Sequence, residues 1–393
     1  MSRVTSPVIA GVVTALVGFA GTFAIVLAGY RAIGATNAEA ASGILVLTVG
    51  AGVVGIVLAA RYRMPIGIAW STPGAALLAS NGAIDGGYPA ALGAFVVCGL
   101  LLVVAGLWRR FGSALEAIPA PLANAVLAGV LVPVCLAPLE AVFRSPSVAI
   151  PTVVTWLLLM WWRARWAVPG AFAVMAIAVA IDPLEPGGGF GGGLPELSFT
   201  LPAFTVAGVA GLALPLFIVT MASQNIPGLS VLRSYGYRPP LRPILVSTGG
   251  ASALIAPFGA HTLNLAAITA AMLAAPSVDP VPARRWIAAA GAGAVYVVLG
   301  LCSGLVMAVL ASAPLLAVKA VAGLALLATL RRSLTAALEP PGQRLASIVA
   351  MGICASPLML WGIGAPLWGL LAGLVLFVAM GRAKHSWQLA RKW

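Results

Sequence analysis

Three short polar clusters stand inside otherwise apolar stretches: Ser71-Thr72-Pro73-Gly74, Ser223-Gln224-Asn225 and His261-Thr262-Leu263-Asn264. Apart from the imidazole, their polar side chains are hydroxyls and amides, which donate hydrogen bonds without carrying charge. Gln224 and Asn225 offer amide donors for a carboxylate or acceptors for a protonated group. On a second reading they only satisfy backbone freed by Pro227, and Pro227-Gly228 is expected to break the helix behind them. His261 is the residue best placed to change charge near neutral pH, which makes it the candidate for proton coupling; the alternative is a hydrogen-bonded structural histidine. Trp70 and Phe258 flank these clusters and would serve either as walls of an aromatic pocket or as ordinary packing aromatics.

The elements that hold these clusters lie in lipid. Hydrophobic residues make up 61% of the 393 and charged residues 8%, and the mean hydropathy is +1.07. A soluble chain of this size needs a charged exterior, so the composition describes an all-α polytopic protein whose partner is the bilayer. The net charge of +13 would suggest nucleic acid for a soluble protein. Here Arg and Lys sit in short gaps between apolar runs, where they act as topology signals, and no nucleic-acid partner is expected. Cys98, Cys135, Cys302 and Cys354 lie singly in apolar runs without CxxC spacing, so neither a metal nor a cofactor is indicated. The first apolar run, from Pro7 to Tyr30, is too long for a cleavable signal.

With roughly 20 apolar residues per span, candidates fall at 8-30, 39-60, 86-108, 118-138, 148-162, 166-181, 204-232, 242-256, 286-311, 314-330, 345-361 and 365-381. Two interrupted segments, 64-80 and 257-275, bring the expectation to about fourteen crossings. With both termini cytoplasmic, only Arg31, Arg144 and Lys319 of the 22 basic residues fall outside, whereas most acids do. Removing either interrupted segment would invert every later loop and destroy this asymmetry. The stretch 182-203, with GlyGlyGlyPhe and GlyGlyGlyLeu, divides the chain into repeats at 1-181 and 204-393. Each carries its interrupted segment third, at an offset of about 190 residues. An odd number of crossings per half makes the repeats inverted.

In the first interrupted segment, Met64 to Trp70 is expected to be extended, with Ser71 or Thr72 capping a half-helix and Pro73 in its first turn. In the second, Ala256 to His261 is expected to be extended and Thr262 to open the half-helix. Inversion brings the two half-helix N-termini together near the midplane, where free N–H groups and dipole ends favour an anion such as a carboxylate. Gln224, nine residues before Arg233, lies about 14 Å deep at 1.5 Å per residue, beside that point.

The stretches AlaTrpSerThrProGlyAlaAlaLeuLeu at 69-78, SerGlnAsnIleProGlyLeuSerValLeuArg at 223-233 and AlaProPheGlyAlaHisThrLeuAsnLeuAlaAlaIleThrAla at 256-270 resemble the BenE-type benzoate transporter family over nearly the whole chain. The resemblance implies proton-coupled uptake of benzoate or a related aromatic carboxylate across the bacterial inner membrane. It also implies the seven-plus-seven inverted repeat shared with nucleobase and sulfate or bicarbonate transporters, working by alternating access. A core at 8-110 and 204-311 would move against a gate at 113-181 and 312-383, the gate also being a candidate homodimer surface. The substrate would be held by Ser71, Thr72, Gly74, Thr262 and neighbouring amides, oriented by Gln224, Asn225 and Asn264, with its ring near Trp70 and Phe258 and its proton on His261. Nucleobase relatives typically carry glutamates where this chain has amides and a histidine, which fits a ligand that brings its own negative charge. A nucleobase or inorganic-anion carrier is the alternative. A membrane-embedded enzyme lacks its chemistry here, since the spans hold no HExxH, paired carboxylates or Ser-His-Asp set, and a channel lacks a ring of charges or a repeated filter.

Overall fold

The computed structural model describes residues 5–108, 119–181, 196–310, 313–360 and 363–390, which are mostly helical. Most of the Gly-rich connection, 182–195, and the basic residues Arg3, Arg109, Arg110, Arg391 and Lys392 lie outside the described residues. The first half runs α1 (Thr5–Ala32), α2 (Asn37–Tyr62), β1 (Ile68–Trp70), α3 (Thr72–Asn81), α4 (Gly87–Leu107), α5 (Ala120–Arg144), α6 (Pro146–Arg163) and α7 (Ala167–Ile181). The second begins with α8 (Val206–Ser234), α9 (Leu241–Ile255), β2 (Leu263–Leu265) and α10 (Ala267–Ala274). It continues through α11 (Trp286–Leu301), α12 (Ser303–Leu310), α13 (Leu315–Leu338), α14 (Arg344–Ala355), β3 (Met359–Leu360), β4 (Ile363–Gly364) and α15 (Ala365–Ala390). Among the described residues, six helices are long and apolar enough to cross a bilayer.

Three local expectations are corrected. Pro227 does not end its helix. The chain widens into π turns at Val209–Ala213 and Met221–Asn225, each just ahead of a proline, Pro215 or Pro227. Proline lacks an N–H and crowds the carbonyl four residues back. Letting the Ile226 N–H reach the Met221 carbonyl, five residues back, loosens the turn enough for the helix to continue. In the second interrupted segment the extended part is Leu263–Leu265, whereas Ala256–Phe258 is a 3-10 turn closed by Gly259 at φ +101°. Finally, the run 345-361 is helical only to Ala355, and its end pairs as the antiparallel strands β3 and β4.

Helix packing falls into two groups, which meet where α1 lies along α13 and α3 along α5. In one, α2 lies against α11, α4 against α9, α1 against α3 and α11, and α8 against α10. In the other, α5 lies along α13, α14 packs on α15 and α5, and α6 on α7. Without a hydrophobic drive between helices in lipid, close approach depends on small residues. At the α4–α9 crossing, a Cβ on Gly99 would meet the Gly249 carbonyl at 2.7 Å, and one on Gly249 would meet the Gly99 carbonyl at 2.6 Å. Gly52 and Gly293 stand in the same reciprocal relation where α2 crosses α11.

Gly249→Ala is therefore expected to destabilise the protein by about 1–3 kcal/mol through overpacking against backbone that cannot yield. Its neighbour Gly250 has open space around it, and Gly250→Ala should be neutral or mildly stabilising through helix propensity. Thermal melting of the two purified variants checks this, and equal melting temperatures would show that the crossing tolerates a methyl group.

Candidate functional site

The interrupted segments meet as a two-stranded antiparallel ribbon in which Ile68 faces Leu265, Ala69 faces Asn264 and Trp70 faces Leu263. The ladder continues at both ends, where Ser71 N–H donates to the Thr262 carbonyl (2.9 Å) and Ala266 N–H to the Gly67 carbonyl (3.0 Å). The half-helices α3 and α10 leave from opposite ends of this ribbon. Ser71 and Ala266 are therefore offset by four residues, about 13 Å along a strand, and the two helix ends flank the Ala69–Asn264 pair rather than touch.

The two ends differ chemically. In α3, Ser71 is the N-cap, Thr72 the first helical residue, and Pro73 removes one donor. The Ser71 hydroxyl accepts from Gly74 N–H (3.1 Å) and from the Thr220 hydroxyl (2.8 Å). In α10, Ala266 caps without a side-chain bond, and the side chains of α8 take over. Gln224 Oε1 accepts from Ala267 N–H (3.2 Å), and Asn225 Oδ1 accepts from Leu265 N–H (3.0 Å). The π turn that carries Gln224 and Asn225 thus braces the second half-helix, not the backbone freed by Pro227. Among the described residues the Ile268 and Thr269 N–H groups at this end, and the Gln224 amide nitrogen, have no acceptor. Gln224 is half-buried and Ile268 is 49% exposed, so other parts of the chain do not fully cover this end.

The remaining predicted residues separate. Thr262 is opposite Ser71 in the ribbon, with its hydroxyl 3.6 Å from Cys98 Sγ, and so does not open α10 as expected. Asn264, at the ribbon's centre, and His261, just before it, are fully buried. Trp70 ends β1 beside the Ser71 cap, donates to the Thr22 hydroxyl (3.0 Å), and packs its ring on Phe19 and Tyr296. Phe258 does not flank the start of α10. It lies in the 3-10 turn, with its ring on Phe199 (5.6 Å) and its carbonyl bonded by Ser42.

Three positioning residues are absent from the sequence reading. Thr220 orients Ser71, Ser252 accepts from Leu263 N–H (2.9 Å), and Arg285, 4% exposed, donates to the Ala274 carbonyl (2.7 Å) at the C-terminus of α10. A cation at that end complements the half-helix dipole. Thr220 lies one turn before Gln224 on the same helix, a spacing that could have found it.

The ribbon and both helix starts hold no Asp or Glu. Uncharged donors at a helix start, with no acid beside them, suit an anion better than a cation.

The family profile described as Benzoate membrane transport protein (BenE) matches residues 2–379. The Inner membrane protein YdcO of Escherichia coli is 36% identical over 375 residues, covering 95% of each chain. A Benzoate membrane transport protein of Acinetobacter baylyi is 26% identical, covering 97% of this chain and 96% of its own. Among solved structures, the transmembrane domain of the cyanobacterial bicarbonate transporter BicA has a TM-score of 0.61 at 16% identity, covering 95% of this chain and 98% of that one. SLC26A9 has a TM-score of 0.58 at 13% identity, covering 95% of this chain and 65% of its own.

Proposed function

This chain belongs to the BenE family of membrane transporters, and from that premise we propose that it takes up benzoate or a related aromatic carboxylate together with a proton. The carrying observation is the start of α10, where the unbonded Ile268 and Thr269 N–H groups and the Gln224 amide nitrogen stand together without an acid beside them among the described residues. The carboxylate binds there, and the ring lies along the ribbon towards Trp70 and Thr72 at its other end. Ser71, Gly74, Asn225 and Thr262 shape the backbone that presents these donors. Phe258 is a weaker candidate for the ring pocket, since its ring is engaged by Phe199.

Fourteen spans in two inverted repeats, 1-181 and 204-393, give the movement. The exchange of partners between α2–α11 and α4–α9, each locked by a reciprocal glycine pair, supports this reading, because inversion maps one crossing onto the other. The core, 8-110 and 204-311, carries the ribbon and its ligand past the gate, 113-181 and 312-383, in an alternating-access cycle. The enrichment of Arg and Lys in alternate loops supports cytoplasmic termini in a bacterial inner membrane.

The test is radiolabelled benzoate uptake into proteoliposomes under imposed pH gradients, with uracil, sulfate and bicarbonate as competitors. Saturable, gradient-driven benzoate uptake supports the proposal, and transport of a competitor without benzoate movement overturns it. His261 carries the coupled proton, so His261→Gln is expected to reduce gradient-driven accumulation at least tenfold while leaving benzoate exchange at equal pH. Accumulation that still follows the gradient in this variant would remove His261 from the coupling step.

A further inference from the structure

We infer that the enclosed polar cluster at His261 is the inner end of a proton path that opens at Glu39 and runs through the hydroxyls of Tyr88 and Tyr30. The inference rests on the proton-coupled reading above and adds the route and its residues. Both ring nitrogens of His261, both amide atoms of Asn264 and the Tyr30 hydroxyl are buried with no hydrogen-bond partner among the described residues. All three side chains are 0% exposed. Buried polar atoms are ordinarily paired, and an unpaired set calls for a function.

Two of the three are neighbours, the Tyr30 and His261 rings lying 6.0 Å apart, and Asn264 follows His261 by three residues in the same segment. On another side the Phe95 ring, at 6.3 Å, blocks His261 with hydrocarbon. Outward from Tyr30, α2 and the turn before β2 touch through two glycines. A Cβ on Gly43 would lie 3.0 Å from Tyr30 Cζ, and one on Gly259 would lie 2.7 Å from the Tyr88 hydroxyl. Both phenols therefore border one contact too tight for any side chain. Glu39 lies one turn before Gly43 on α2, and its carboxylate accepts from the hydroxyls of Thr36 (2.9 Å) and Thr200 (3.2 Å) at the rim. The titratable groups facing the cluster are thus Tyr30 from α1, Glu39 from α2, and Tyr88 and Cys98 from α4. β1 brings Ala69, and α9 brings the Ser252 hydroxyl.

A proton bound at the Glu39 carboxylate moves inward as each tyrosine hydroxyl accepts one proton and releases its own, remaining neutral. It ends on His261, giving imidazolium and restoring the Glu39 carboxylate, and Asn264 Oδ1 accepts a hydrogen bond from the new N–H. Loss of that proton to the opposite side returns neutral imidazole. A lone imidazolium in this enclosed interior is costly, and a substrate carboxylate beyond Asn264 lowers that cost. Proton and substrate therefore favour each other's binding, and by linkage the effect is reciprocal.

Tyr30→Phe keeps the ring and removes only the hydroxyl. In proteoliposomes carrying a trapped pH dye, benzoate-driven proton entry and gradient-driven accumulation are expected to fall at least tenfold, with exchange at equal pH within twofold of the unmutated protein. Glu39→Gln, which retains the helix cap with Thr36, is expected to flatten the dependence of uptake on the pH of the Glu39 side. Undiminished proton entry in Tyr30→Phe overturns the path, and so does loss of exchange alongside accumulation, which would assign the hydroxyl to substrate binding. If His261→Gln loses accumulation while Tyr30→Phe keeps it, coupling stands and this route falls. Failure of the unmutated protein to move benzoate would instead remove the transport reading itself.

Discussion

Gln224→Glu is expected to weaken benzoate binding about a hundredfold at pH 7.5 and to recover much of it as the pH falls. The substitution changes almost nothing but charge. Glu keeps the carbonyl-like oxygen that braces Ala267 N–H, so the start of α10 should hold its geometry. The lost group is the amide nitrogen proposed to donate to substrate, and the gained group is an anion at the same helix end. Two unit charges about 5 Å apart in an effective dielectric of about 20 repel by about 3 kcal/mol, which is roughly a hundredfold in affinity. A carboxylate at a helix N-terminus is itself stabilised there, so the mutant side chain would occupy the substrate's place. Protonation reverses both effects. The ordinary Glu value is about 4.3, and a second anion nearby raises it, so recovery should begin on the acid side of neutrality as the substrate arrives. Initial uptake rates against benzoate concentration at several pH values test this, with Gln224→Ala as the uncharged comparison. If Glu and Ala weaken binding equally at every pH, Gln224 is a brace and not a contact.

Much of the architecture was legible in the sequence because its causes are local or additive. Apolar run length needs only the bilayer, and helices stand at the predicted runs, the end of 345-361 excepted. Ser71 and Pro73 define the start of α3 through their own backbone preferences, so the first interrupted segment was placed correctly. The second was not, because nothing local marks Leu263–Leu265 as a strand. Its partner lies almost 200 residues away in β1, and Thr262 ahead of an apolar run imitates a helix cap. The offset of about 190 residues between the interrupted segments carries Ile68–Trp70 onto 258–260, short of Leu263–Leu265, so the spacing alone does not place β2.

The π turns were hidden for a different reason. Pro227 reads as a break if a helix has only one hydrogen-bond register, and sequence does not show which register tertiary contacts will pay for. Here the widened turn swings Gln224 and Asn225 onto β2 and α10, so the bonds they make across the interface offset the strain of the turn. Phe258 misled through proximity in sequence. It is three residues from His261, but Gly259 reverses the chain between them and sends its ring to Phe199.

The same bracing makes Asn225→Ala the second severe substitution. Asn225 is 0% exposed, and its Oδ1 is the acceptor for Leu265 N–H. Leu265 lies hard against α8 at Gly228, where a Cβ would come within 2.8 Å of its side chain, so little space exists for water to replace the amide. Truncation leaves a buried donor without a partner, at a cost of about 1–3 kcal/mol, and adds a cavity where the amide stood. The damage falls on the strand that leads into α10, so the donors at Ile268 and Thr269 lose their fixed position relative to α3. Misplacement of such a site by about 1 Å is enough to cost roughly a hundredfold in rate. Asn225→Ala is therefore expected to lower the melting temperature of the purified protein and to reduce uptake at least tenfold, a larger structural penalty than Gln224→Ala, whose side chain is half-exposed. Normal melting and normal uptake in Asn225→Ala would show that the ribbon keeps its register without α8, and that the second half-helix is held by Arg285 and the β1 ladder alone.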